Sequence, residues 1–349
     1  MKPSQIFTLQ LEITSHCNAA CPHCPRTNSL GELNVVPEHW DSEKILKNLE
    51  LDKLTSLTHV IIEGDNGDPL MHPNIDRIVK AFVDHPANPH IFLYTNGSIR
   101  NNAWWSTFIK SDKLSVIFSI DGLADTNSIY RINTDFDKII GNASSYINAG
   151  GKLFWKFIVF EHNQHQMDQA IQLSKELGFT KIFFKLPIKS RFEGKTLWPI
   201  VKNGVTLGYL KYPNTEIINL NLVDELPGIP VEQTGEQLMA TFLKKLKSGL
   251  NSICQNLNRG HIYIAASGFV IPCCMINYRL KENKTFSSLV DHNFNSIDLH
   301  QNTMSDILST NGFTSKLESS IRSNNSMDAC SNYCGDFIKL KLSEDADVS

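Results

Sequence analysis

The chain has 349 residues, 41% of them hydrophobic and 20% charged, a globular composition with enough apolar material for a sizeable core and unlike a disordered or fibrous one. Its 33 Lys and Arg against 36 Asp and Glu leave a net charge of −3, which provides no basic footprint for nucleic acid. The opening MKPSQIFTLQLEIT lacks the apolar run of a secretory signal, and no later stretch approaches a membrane span, so a cytoplasmic protein with neither nucleic acid nor membrane as partner is expected.

From Gln5 to about Lys189 short apolar runs alternate with amphipathic stretches. Phe7–Ile13 reads as a strand, Ser42–Leu51 as a helix, Leu57–Glu63 as a strand, and Asn74–Asp84 as a helix with Ile75, Ile78, Val79 and Phe82 on one face. Strand His90–Thr95, a helix near Asn101–Lys110, strand Leu114–Ile120 and helix Phe136–Ala149 follow; strand Leu153–Phe160, helix Gln166–Leu177 and strand Lys181–Leu186 complete the series. Strands separated by helices of this length form βαβ units and a parallel sheet, whose functional groups gather at the carboxyl ends of the strands. Residues 190–235, with Pro199, Pro213, Pro227, Gly228 and Pro230, read as an irregular connection holding at most one strand, at Glu216–Leu222. Beyond them come a helix at Gly235–Leu246, a hairpin of His261–Ala265 and Phe269–Ile271 turning at Gly268, and helical stretches near Met304–Leu308 and Phe313–Ile321. The acidic Ser343–Ser349 tail is expected to fray.

Eight cysteines stand at 17, 21 and 24, at 254, 273 and 274, and at 330 and 334. Without an export signal, clusters at such spacings suit metal better than disulfides. Cys17, Cys21 and Cys24 form a C-x3-C-x2-C triplet directly after the first strand. Three thiolates on one loop converge on one centre. That centre is either zinc, with His16 or His23 as a fourth ligand, or an iron–sulfur cube with one iron left open.

The triplet at this place resembles the radical S-adenosylmethionine (radical SAM) superfamily, in which the open iron chelates the amino and carboxylate groups of the methionine. The segment Glu63-Gly64-Asp65-Asn66-Gly67-Asp68-Pro69, at the end of the second strand, looks like the family's Gly-Gly-Glu-Pro segment. There the backbone receives the methionine amino group; Asp68 is a shorter acid that keeps the backbone role. The resemblance further places Thr95-Asn96-Gly97 near the cofactor, Ser119 and Asp121 near its ribose and carboxylate, Arg131 on the carboxylate and Asn163 near the adenosine. Each has a plainer reading: Gly67-Asp68-Pro69 and Asn96-Gly97 as turns, Ser119 and Asp121 as caps, Arg131 as a solvated helix residue. His16, His23 and His72 read as loop-structuring residues rather than bases.

Cys254, Cys273, Cys330 and Cys334 suit a complete four-thiolate site, zinc or a second [4Fe–4S] cluster. The C-x13-G-x4-C spacing from Cys254 to Cys273 resembles the auxiliary-cluster (SPASM) region of many radical SAM enzymes, in its shortened "twitch" form with one cluster. Cys274 is left over: a buried thiol, an alternative to Cys273 as ligand, or a hydrogen-atom donor of the kind found in radical epimerases.

The fold expected from pattern and resemblance together is α/β, a partial (β/α)6 TIM-like barrel with a small C-terminal α+β auxiliary iron–sulfur domain. The divisions are a core at 1–190, a connecting region at 191–250, the twitch-like domain at 251–340 and a tail at 341–349. With the triplet starting at residue 17, no peptide-recognition domain is expected ahead of it. The resemblance implies reductive cleavage of S-adenosylmethionine to a 5′-deoxyadenosyl radical and hydrogen abstraction from a peptide or carbohydrate-like small molecule. A flavodoxin or ferredoxin supplies the electron, and the auxiliary cluster aids oxidation or bond formation. The alternatives are a radical epimerase using Cys274, or a non-catalytic iron–sulfur carrier or zinc-stabilised binding protein.

Overall fold

In this computed structural model the described residues are 1–27, 32, 35–187, 197–202, 205–214, 216, 218, 254–277, 290 and 293–309. Six parallel strands alternate with helices: β1 (Thr8–Leu11), β2 (His59–Ile62), β3 (His90–Thr95), β4 (Leu114–Ser119), β5 (Leu153–Ile158) and β6 (Lys181–Lys185). The helices between them include α1 (Ser42–Asn48), α2 (Ile75–Val83), α3 (Asn102–Thr107), α4 (Asn127–Tyr130), α5 (Phe136–Asn148) and α6 (Met167–Leu177). Their starts follow from capping chemistry. The carboxylates of Asp41 and Asp135 and the side-chain oxygen of Asn101 each accept from the backbone N–H three residues on. Gly178 closes α6 in the left-handed region at φ 82°.

The hairpin of residues 261–271 does not stand apart from the barrel. Strand β9 (His261–Ile264) pairs parallel with β1, in register from Thr8 with His261 to Leu11 with Ile264, and β10 (Val270–Ile271) pairs antiparallel with β9. One eight-stranded sheet results, ordered β10-β9-β1-β2-β3-β4-β5-β6, and it is the partial TIM-like α/β architecture expected. Trp40, after the cysteine loop, ties the hairpin down by donating from its indole Nε1 to the Ala265 carbonyl at 2.8 Å.

Period-two alternation sorts each strand between two faces. Leu9, Leu11, Val60, Ile62, Leu93 and Phe118 join the main core together with the buried faces of the helices, among them Ile75, Ile78, Val79 and Phe82 of α2. The opposite face carries a separate cluster of Phe92, Tyr94, Ile117, Phe154 and Phe183, with Ile61 against it. This is the inner face of the barrel.

Residues 197–211 correct the sequence reading. The stretch expected to be irregular contains strands β7 (Leu197–Lys202) and β8 (Val205–Lys211), paired antiparallel with Pro199 opposite Tyr209. A two-stranded ribbon has two outer edges, and a proline is tolerated on an edge. The strand expected at Glu216–Leu222 is not seen at 216 and 218, and its other residues lie outside the described ones, as do the helices expected at 235–246 and 313–321 and the 343–349 tail. No helix among the described residues is long and apolar enough to cross a membrane.

Candidate active site

The loop from Glu12 to Thr27 leaves the carboxyl end of β1 and carries the three thiols. Its turns are backbone-made: Cys24 N–H donates to the Cys21 carbonyl at 3.1 Å and Thr27 N–H to the Cys24 carbonyl at 3.0 Å. The Arg26 guanidinium reaches back to the Ala19 carbonyl at 3.1 Å. Around the sulfurs lies an apolar shell of Ala19, Tyr130, Phe160, Leu210 and Trp198. Trp198, on β7, donates its indole N–H to the Pro22 carbonyl at 2.5 Å and meets the His23 ring edge-on at 5.0 Å. The ribbon missed by the sequence reading is thus a cover for the cysteine loop.

Burial pushes the thiols up, Cys17 to about 12 and Cys21 to about 11, with the Arg131 guanidinium opposing the rise at Cys21. Thiols so desolvated stay protonated unless a cation joins them, so the donor set and its dry setting suit a positively charged iron–sulfur core. No group of three His, Cys, Asp or Glu side chains among the described residues is placed to hold a single metal ion. An iron–sulfur cube is less demanding in this respect, because each thiolate takes a different iron.

The loop after β2 is wedged against the cysteine loop. Asp68 N–H donates to the His16 carbonyl at 2.8 Å, and the Cys24 thiol faces the Asp65 carbonyl at 3.8 Å. At Gly67 the two backbones approach so closely that a Cβ would sit 2.0 Å from the Thr14 carbonyl oxygen. The Asp68 carboxylate, fully enclosed, accepts from Leu70 N–H at 3.1 Å, Thr95 Oγ1 at 2.9 Å and Asn96 N–H at 2.7 Å. Burial raises its pKa against these three donors. Asp68 therefore cross-links the ends of β2 and β3. Asn96 continues the brace: its Nδ2 donates to Asn18 Oδ1 at 2.8 Å and lies 3.8 Å from Cys17 Sγ, while its Oδ1 accepts from Ser98 N–H at 2.9 Å.

A second brace joins the ends of β4 and β5. Asp121 is fully buried; its Oδ2 takes Arg131 Nε at 2.6 Å and its Oδ1 takes Ile158 N–H at 2.6 Å. Arg131 is no solvated helix residue, since its Nη1 stands 3.8 Å from Cys21 Sγ and its plane covers the Tyr130 ring. Asn163 donates both amide hydrogens, to the Asp121 carbonyl at 2.9 Å and the Ile158 carbonyl at 3.0 Å, and accepts from Phe160 N–H at 2.7 Å. This side chain has no donor left for an adenosine. Ser119 is buried at the end of β4, opposite Lys156 of β5. The three loop histidines make structural contacts: His16 stacks on His39 at 4.1 Å, and His72 is held neutral between the Trp40 carbonyl and Asn74 N–H, its pKa lowered by burial.

Of the C-terminal cysteines, Cys254 is buried in the main core and Cys273 and Cys274 pack against it half-buried. Asn256 Nδ2 donates to the Pro272 carbonyl at 3.0 Å, holding the segment after Cys254 to the residue before Cys273. Cys274 opens a helical turn (Cys274–Asn277) and lies near enough to Tyr263 for a charge on it to raise that tyrosine's pKa, after burial and Glu12. Cys330 and Cys334 lie outside the described residues.

Residues 11–183 match the model of the radical SAM superfamily. These residues form a radical SAM domain. The family binds S-adenosylmethionine at a [4Fe–4S] cluster, and two enzymes are among the relatives of the chain. GTP 3′,8-cyclase of Nautilia profundicola is 23% identical over 300 residues, covering 80% of this chain and 84% of the cyclase. Pre-heme d1 synthase of Dinoroseobacter shibae is 25% identical over 189 residues, 52% of this chain and 43% of the synthase. Among solved structures, anSMEcpe with bound S-adenosylmethionine superimposes with a TM-score of 0.52 at 15% identity over 88% of this chain and 78% of its own. Streptococcus suis SuiB bound to its precursor peptide SuiA gives 0.52 at 15% identity over 80% of this chain, which spans 61% of the SuiB length. At these identities the two structures show the fold.

The sequence reading of this radical SAM domain passed over the inner face of the strands. Gln10 and Glu12 of the β1 edge, Glu63 after β2, Tyr94, Lys156 and Lys185 all point to that side. Gln10 Nε2 donates to Glu63 Oε1 at 2.5 Å, and Glu12 accepts from Tyr263 OH at 2.9 Å and Asn66 N–H at 2.5 Å. The signal was present: Leu9-Gln10-Leu11-Glu12-Ile13 alternates with period two, and its polar half has no solvent face to go to.

Proposed function

We propose that the chain is a radical SAM enzyme whose Cys17, Cys21 and Cys24 hold the [4Fe–4S] cluster that binds S-adenosylmethionine. The reading is supported chiefly by the desolvated thiol triplet, enclosed between the Gly67 loop and Trp198. Once bound, the cluster and S-adenosylmethionine supply a 5′-deoxyadenosyl radical that takes a hydrogen atom from the substrate. The protein does the rest by position. Gly67 lets the β2 loop lie flat on the cysteine loop and presents its backbone to the methionine amino group, while Thr95 and Asn96, fixed by Asp68, hold the neighbouring wall. Arg131, aligned by Asp121, places a positive charge beside Cys21, where a ligand carboxylate also finds a partner. Ser119 lines the same rim. Trp198 and the apolar shell exclude water from the sulfurs.

Cys254 and Cys273, with Cys330 and Cys334, are the thiols of an auxiliary [4Fe–4S] cluster in this reading, supported by the bond that holds their two segments together. The substrate is a peptide or a carbohydrate-like small molecule and the electron donor a flavodoxin or ferredoxin. SuiB and anSMEcpe are described with bound peptides, whereas the cyclase and the synthase are named for small molecules. The placement of Cys274 near Tyr263 on the inner face favours a second reading, an epimerase in which that thiol returns a hydrogen atom.

The test is anaerobic. Reconstituted, dithionite-reduced protein is assayed for 5′-deoxyadenosine, and release is expected from the wild type and not from a Cys17/Cys21/Cys24 triple Ala variant. Iron-loaded protein that makes none, or a triple variant that equals the wild type, overturns the enzyme reading. For the epimerase, Cys274→Ala is expected to keep its iron and lose turnover, and solvent deuterium to enter the product; turnover retained by that variant removes it.

A further inference from the structure

The floor of the inner face is the aromatic cluster of Phe92, Tyr94, Ile117, Phe154 and Phe183. One polar atom in this floor has no protein partner. Tyr94 is 6% exposed, and its hydroxyl, shielded from solvent, makes no hydrogen bond. A buried hydroxyl left unsatisfied costs about 1–3 kcal/mol, so its persistence points to a ligand that satisfies it. Burial and the nearby Glu63 push the phenol pKa far up, so the group stays a neutral donor.

Two ammonium groups stand over the same floor. Lys156 Nζ lies 5.4 Å from the Tyr94 ring centre and Lys185 Nζ 6.0 Å from that of Phe183. The register puts both on the inner face: Phe154 pairs with Lys181, Lys156 with Phe183 and Ile158 with Lys185, and Phe154 and Phe183 belong to the floor. Across from them, the carboxylates of Glu12 and Glu63 accept from Tyr263, Asn66 and Gln10. The acidic wall is thus engaged with protein donors, and the wall that presents donors is the one made by β3, β5 and β6.

We propose that Tyr94, Lys156 and Lys185 form the substrate-recognition wall of the barrel and take an anionic group, a carboxylate or a phosphate. Either offers several acceptor oxygens to two ammonium groups and one hydroxyl, and charge-assisted bonds above a dry aromatic floor are the strong kind. The inference rests on the enzyme reading for the word substrate. Its test is equilibrium binding, which does not depend on cleavage of S-adenosylmethionine.

Full-length reconstituted protein saturated with S-adenosylmethionine, so that its own carboxylate site is filled, is titrated calorimetrically with inorganic pyrophosphate and with succinate. At least one probe is expected to bind, and the preferred probe tells phosphate from carboxylate. Lys156→Gln and Lys185→Gln are each expected to weaken binding by about tenfold or more, and Tyr94→Phe by about fivefold. Lys156→Arg keeps the charge and is expected to retain binding, as is Lys181→Gln, at the exposed start of β6. Iron content and S-adenosylmethionine binding of each variant confirm its integrity. The proposal is overturned if neither probe binds, or if binding survives both Lys→Gln substitutions.

Discussion

Replacing Gly67 by Ala tests the junction on which the site depends. The added Cβ would lie 2.0 Å from the Thr14 carbonyl oxygen, 2.7 Å from its carbon and 2.9 Å from Ser15 Cα, all backbone atoms with no rotamer to escape into. An ordinary carbon–oxygen approach is about 3.3 Å or more, so the β2 loop and the cysteine loop must part by roughly 1.3 Å. Asp68 N–H to His16 O, now 2.8 Å, is the first bond to break, at about 0.5–1.5 kcal/mol. Overpacking adds about 1–3 kcal/mol, giving roughly 2–4 kcal/mol in all. Denaturant midpoints of the apo chain read the stability, and iron per chain after anaerobic reconstitution reads the loop geometry. Both are expected to fall. Gly141→Ala is the control, because its Cβ meets only the flexible tip of Asn102 at 3.2 Å within α5 and is expected to be neutral or to stabilise by up to about 1 kcal/mol. Wild-type stability and iron content in Gly67→Ala would refute the close approach and the role built on it.

Arg131→Gln leaves the fully buried Asp121 carboxylate without its cation, and a loss of about 3–5 kcal/mol is expected by chemical denaturation. A double Asp121→Asn/Arg131→Gln variant should lose less than the sum of the singles, and strict additivity would show that the two do not act as a pair. Glu50 ties the end of α1 to the helix at Met304–Ser309 through Ser305 N–H at 2.7 Å and Lys53 Nζ at 2.6 Å. Burial opposes its ionisation, but these bonds outweigh it and hold its pKa down from 4.5 to about 2. Because the folded value lies below the unfolded one, the contribution is complete above pH 4.5 and is lost as pH falls toward 2. Glu50→Gln should therefore remove part of the acid destabilisation in that window, and an unchanged pH profile would count against the contact.

The helical and strand periods of residues 5–187 were legible because each parallel strand feeds one amphipathic helix, and His90–Thr95 was placed to the residue. The ribbon at 197–211 was hidden by weighing Pro199 as a breaker. The competing signal was Asn203-Gly204: Lys202 pairs with Val205, so these two residues alone join the strands, and Asn-Gly is the favoured dipeptide for such a connection. The hairpin at 261–271 was read correctly as a hairpin, but its pairing with β1, some 250 residues earlier, has no local pattern to reveal it. The candidate site divides in the same way. Cys17, Cys21, Cys24 and Gly67 carry their spacing in the sequence, whereas nothing local says that Asp68, Asp121 and Asn163 turn their side chains onto neighbouring strand ends.

That turn inward is itself informative. Four strand ends are bolted pairwise, β2 to β3 by Asp68 and β4 to β5 by Asp121 with Asn163, and Arg131 and Asn96 extend each bolt to a cysteine sulfur. A loop that carries three thiols but only a short turn of its own hydrogen bonds would be ordered by its cluster alone. Here polar bonds from both sides of the barrel reach it as well. A strained or mobile loop would bind iron at the expense of ordering entropy, while a braced one presents its thiols at nearly fixed separation before iron arrives. The residues the sequence reading assigned to the cofactor thus act one step back from it: they set where the sulfurs stand, and the inner-face residues beneath them meet the substrate.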